Sequence, residues 1–126
     1  MPVTLDELID RARRDLVRVE PEQAAAELAG GALLVDIRPA DQRSEGGCVP
    51  GSVVIDRNVL EWRLAPDSEW RIDAVAGPDT RVIVLCNEGY SSSLAAATLK
   101  ELGLGNATDV IGGFQAWRAA GLPIER

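Results

Sequence analysis

The chain has 126 residues, 13 Lys and Arg against 20 Asp and Glu, and therefore a formal net charge of -7. That length predicts one domain over residues 1–126, and the acidic balance argues against nucleic acid or an anionic membrane as partner. Histidine is absent, which excludes a His-based metal site, a Ser-His pair and a Cys-His pair within the chain; nothing in the residues calls for a metal or an organic cofactor.

In chain order, residues 4–14 predict an N-terminal amphipathic helix. Thr4 caps it, Glu7 completes a capping box, and Leu5, Leu8, Ile9 and Ala12 form its apolar stripe. Leu16 to Val19 is a strand candidate. Pro21 opens a helix that runs to Leu28 and ends at Gly30-Gly31. Ala32 to Ile37 predicts a buried strand, followed by one or two helical turns over residues 40–45. Gly and Pro mark residues 46–52 as a loop. Val53 to Ile55 predicts a very short strand, and Asn58 to Arg63 a brief helix carrying Leu60 and Trp62. Residues 66–80 are polar, with Trp70, Ile72, Ala74 and Val75 as apolar anchors. Arg81 to Leu85 predicts the central strand and Ser92 to Leu102 the helix after it. Thr108 to Ile111 predicts the last strand, and Phe114 to Ala120 a helix closed by Gly121 and Pro123. Five strand candidates alternating with helical segments predict an α/β fold, with helices on both faces of a parallel sheet. Trp62, Trp70, Phe114 and Trp117 read as packing residues, and aromatics are too few for a stacking platform.

Chemistry concentrates between Arg81 and Leu102. An apolar strand stops at Cys86, a short turn containing Gly89 follows, and a helix with Ser91, Ser92 and Ser93 at its start comes next. This arrangement sets a thiol at the C-terminal edge of a sheet, under backbone N–H groups that can stabilise a thiolate or another anion. Gly89 allows tight curvature, and a serine is expected to cap the helix. Asn87, Glu88, Tyr90 and Ser91 are expected to form the rim and pocket. Asp36 and Arg38, at a strand end, read as architectural: the carboxylate holds loop amides and the guanidinium pairs with an acid. Two cysteines, Cys48 and Cys86, do not make a disulfide scaffold, no apolar run reaches membrane-span length, and residues 1–15 are too acidic for a secretory signal; the cytoplasm is the expected compartment.

Four motifs in order resemble those of single-domain rhodanese-like proteins. They are Leu34-Val35-Asp36-Ile37-Arg38, Gly47-Cys48-Val49-Pro50-Gly51-Ser52, the active loop Cys86 to Ser91, and Gly112-Gly113-Phe114-Gln115-Ala116-Trp117 with Gly121-Leu122-Pro123. The resemblance covers nearly the whole chain. It implies a doubly wound sheet of five parallel strands, and a Cys86 that accepts sulfane sulfur as a persulfide and passes it to a thiol acceptor. The family's loop often reads Cys-Arg-x-Gly-x-Arg. Here Asn87 and Ser91 replace the arginines and Glu88 adds negative charge, so a neutral or protein-bound persulfide donor is expected in place of thiosulfate. Arg57 and Arg63, flanking the short helix after the third strand, are candidates to supply the missing positive charge. The family also resembles dual-specificity phosphatases, which need an arginine after five residues; Ser92 stands there, and phosphatase activity is not expected. The rival readings are a non-catalytic binding or regulatory module, and a thiol redox sensor in which Cys48 resolves Cys86.

Overall fold

The computed structural model describes residues 1–126. Helix α1 spans Leu5–Arg13 and begins as expected: Glu7 N–H donates to the Thr4 hydroxyl at 3.1 Å, and Thr4 N–H to the Glu7 carboxylate at 3.2 Å. Its packed stripe is narrower than the sequence suggested. Ile9 is buried and Leu8 and Ala12 half-buried, but Leu5, beside the cap, is exposed. Helix α2 (Pro21–Ala29) has proline in its first turn, where a missing N–H breaks no bond.

Strands β1 (Leu33–Asp36), β2 (Val53–Val54), β3 (Val82–Leu85) and β4 (Thr108–Asp109) form one sheet in the order β2-β1-β3-β4, every pair parallel. The central register sets Leu33 beside Val82 and Asp36 beside Leu85. Both central strands therefore end level, and the residues after them, Ile37 and Cys86, leave the sheet at one edge. Between the strands run α3 (Ala40–Gly46), a 3-10 turn at Arg57–Val59, α4 (Leu60–Leu64), α5 (Ser91–Glu101) and, after β4, α6 (Gly113–Ala119).

Four strands, not five, make the sheet. The first candidate contributes a single parallel bridge, Val19 to Val110. Two local bonds explain the loss. Leu16 N–H still belongs to the last turn of α1, donating to the Arg13 carbonyl, and the Thr108 hydroxyl takes the Val17 carbonyl that a ladder would use. Pro21, two residues on, has no N–H to give.

Alternate residues of each strand face opposite sides of the sheet. Val35, Val82 and Val84 pack with Leu60 and Leu64 of α4 and Ala95 and Leu99 of α5. Leu34, Ile83 and Leu85 pack on the other side with Ala24 of α2 and Phe114 and Trp117 of α6. Of the four aromatic residues expected to pack, Phe114 and Trp117 do; Trp62 and Trp70 are exposed at 58% and 61%. Trp62 lies two residues from both Leu60 and Leu64, so a helix that buries those two turns Trp62 outward. In the polar stretch, Val75 joins the core and Ile72 packs against it, leaving Trp70 outside.

Candidate active site

Cys86 directly follows β3, and residues 87–90 carry the chain to α5. The loop folds back so that two backbone N–H groups meet the thiol: Gly89 N lies 3.2 Å and Ser92 N 3.3 Å from Cys86 Sγ. Donors aimed at the sulfur stabilise negative charge on it. Cys86 is 7% exposed, and it borders a cavity of about 380 Å³. The walls are Ile37, Arg38, Pro39 and Gln42 from the end of β1 and the start of α3, and Asn87, Glu88, Tyr90 and Ser91 from the loop. A larger hollow of about 680 Å³ lies between α1 and α5, but no cysteine lines it.

The curvature requires Gly89, which sits at φ +87°; a Cβ there would lie 2.7 Å from the Gly112 nitrogen. Other elements hold the loop's carbonyls. Phe114 N–H donates to the Cys86 carbonyl at 2.8 Å, and Gln115 N–H to that of Asn87 at 3.0 Å, so the first turn of α6 clasps the start of the loop. The Gln115 side chain also donates to Asn87 Oδ1 at 3.0 Å. The Gly89 carbonyl accepts from Arg13 Nη2 at 2.7 Å and Arg18 Nη2 at 3.0 Å.

Beneath the loop lies Asp109, fully buried at the end of β4. Its carboxylate pairs with Arg18 at 2.8 Å and accepts the Ser92 and Ser93 hydroxyls at 2.7 and 2.8 Å. Those hydroxyls do not cap α5, contrary to the expectation for this serine run; Tyr90 occupies the cap position without a side-chain bond. The buried carboxylate is the stronger acceptor and draws both inward. Ser91 is exposed at the cavity wall.

Asp36 and Arg38 form a pair with neither side chain exposed, 2.8 Å apart. Asp36 also accepts the Arg38 backbone N–H, while Arg38 donates to the Gly47 carbonyl at 2.7 Å and lies 3.9 Å over the Phe114 ring. Although Arg38 borders the cavity, its charge is spent inside the wall. Arg57 and Arg63 do not line the cavity. Arg57 is held by Glu61 at 2.9 Å, one helical turn on, and Arg63 donates to the Trp70 carbonyl at 2.7 Å; nearer partners claim both. Cys48 is also outside the cavity, bridged to Glu125 through backbone bonds, and both cysteines are free.

Sequence reasoning missed Arg13, Arg18 and Asp109. They lie 76, 71 and 20 residues from Gly89, with no local pattern to mark them.

The family model for the rhodanese-like domain matches residues 20–120. A thiosulfate sulfurtransferase GlpE from Pseudomonas savastanoi pv. phaseolicola is 37% identical over 102 residues, covering 81% of this chain and 87% of that protein. One from Actinobacillus succinogenes is 53% identical over 94 residues, covering 75% and 76%. Among solved structures, a protein of unknown function from Rhodopseudomonas palustris CGA009, described as a possible tyrosine phosphatase, superposes with a TM-score of 0.86 at 32% identity, covering 99% of both chains. With the family model spanning most of its length and relatives this similar, the chain belongs to the rhodanese-like domain family.

Proposed function

We propose that this chain is a single-domain sulfurtransferase that carries sulfane sulfur on Cys86. The observation that carries this reading is the pair of backbone N–H groups on Cys86 Sγ at the floor of an open cavity. The relatives' names support the reaction class. The Cys86 thiolate attacks the outer sulfur of a persulfide donor RS–SH. The donor's S–S bond breaks, RS⁻ leaves, and Cys86 becomes a persulfide. An acceptor thiolate then attacks that outer sulfur, takes it, and restores the Cys86 thiolate. The loop amides face Cys86 Sγ, which holds negative charge before the first transfer and again after the second.

The cavity's charge favours a neutral or protein-bound persulfide donor over thiosulfate. Its walls carry two charged side chains, Arg38 and Glu88. Arg38 is neutralised by Asp36 and fully buried, so the exposed charge on the wall met by an approaching dianion is that of Glu88. Phosphate-ester hydrolysis fits less well. Ser92, at the position where a phosphatase loop needs its arginine, is buried and bound to Asp109. No helix of the chain is long and apolar enough to cross a membrane.

Intact-mass measurement after mixing the protein with a persulfide donor tests the reading. Gain of one sulfur atom, discharged by a small thiol and lost in Cys86→Ser, is the expected result. No gain from any persulfide donor, with Cys86 open to alkylation, overturns it.

A further inference from the structure

We propose that Arg13 and Arg18 are positioning residues for the Cys86 loop, reaching it from a segment that precedes the matched family residues 20–120. The inference rests on the sulfur-transfer reading for its purpose, but its geometry stands apart. The thiol's two N–H donors belong to Gly89 and Ser92. Gly89 is at positive φ, a conformation that glycine does not hold by itself because so many others are open to it. Its carbonyl is fixed by two guanidinium groups of distant origin, Arg13 at 2.7 Å and Arg18 at 3.0 Å.

Each arginine is itself tied to the start of α5. Arg13 Nε donates to the Ser93 hydroxyl at 3.0 Å, and its guanidinium lies 5.4 Å over the Tyr90 ring. Arg18 pairs with Asp109, which also accepts the hydroxyls of Ser92 and Ser93. Both N–H donors to the thiol are thus anchored by one network, Gly89 through its carbonyl and Ser92 through its hydroxyl. Hydrogen bonds to charged donors are the stronger kind, and a buried carboxylate with several partners tolerates little movement. The segment around residues 13–18 therefore fixes where the amides point, without touching substrate or sulfur.

The test is an Arg13→Ala/Arg18→Ala double variant. Alkylation of Cys86 by iodoacetamide, read by peptide mass at a fixed neutral pH, needs no sulfur donor. Amide hydrogen exchange of Gly89 and Ser92, read by NMR, reports the donors directly. We expect Cys86 alkylation to slow by about fivefold and both amides to lose protection. Arg13→Lys, which can still reach the carbonyl, should recover part of both signals. Arg81→Ala, which breaks an ion pair to Glu27 away from the loop, should alter neither. A folded double variant with the parent's alkylation rate and exchange overturns the proposal. If the double variant does not fold, Arg13→Met keeps the stem packing and is judged by the same readouts. A parent protein that takes up no sulfur, combined with variants that alkylate slowly, would sink the transfer reading and leave the positioning role standing.

Discussion

A Cβ on Gly113 would sit 2.5 Å from the Cys86 carbonyl oxygen and 2.8 Å from the Asn87 carbonyl. The first residue of α6 and the loop after β3 are thus in contact through bare backbone, at a glycine with φ +60°.

Gly113→Ala must push the two segments apart and also adopt a left-handed backbone. We expect a stability loss of about 1–3 kcal/mol, measured by urea unfolding, together with weakened protection of the Phe114 and Gln115 amides that donate to the loop. A variant as stable as the parent would show that the loop yields at no cost.

Arg38→Ala leaves the Asp36 carboxylate buried without its counter-charge. The expected cost is about 3–5 kcal/mol, since removing one member strands the other. Adding Asp36→Asn to Arg38→Ala should recover part of the loss, and denaturant titration of the parent and the two variants checks it.

Glu27 and Arg81 join α2 to the start of β3 at 2.7 Å. The hydrogen bond from Arg81 holds the Glu27 carboxyl below its ordinary value of 4.5, against an opposing effect of burial and with help from Gln23. A carboxyl depressed in the folded state stabilises it above the unfolded value, and that contribution fades as pH falls through the folded one. The stability gap between the parent and Glu27→Gln should be about 0.5 kcal/mol near neutral pH, then close below pH 4.5. A gap that widens in acid would contradict the assignment.

Glu88 is the exposed charge at the cavity mouth. Glu88→Gln should raise kcat/KM for thiosulfate about threefold at low salt, with the gain shrinking as salt is added. The same change should leave a neutral persulfide donor unaffected. Initial rates at two ionic strengths decide the matter.

Local pattern carried much of this molecule. The apolar runs at Val82–Leu85 and Leu33–Asp36, the capping box at Thr4 and Glu7, and the glycine at position 89 each announce their structure within a few residues. What stayed hidden depends on distance. The strand proposed at Leu16–Val19 has the right residues, yet the last turn of α1 and the Thr108 hydroxyl leave it one bridge. The serines of α5 have the composition of a cap, but Asp109, sixteen residues or more away, claims two of them. Positive charge was expected from Arg57 or Arg63 because the loop lacks it; nearby Glu61 and the Trp70 carbonyl take both, and the arginines that do reach the loop come from α1 and the residues after it.

The carbonyls of Cys86, Asn87 and Gly89 are all gripped from outside the loop. Glu88, Tyr90 and Ser91 point outward and form no side-chain hydrogen bonds of their own to the frame. On the sulfur-transfer reading, Glu88 and Ser91 can therefore be exchanged while the cradle beneath them keeps its shape, whereas Tyr90 lies under the Arg13 guanidinium. Such a chain is a ready starting point for retargeting by substitution at 88 and 91.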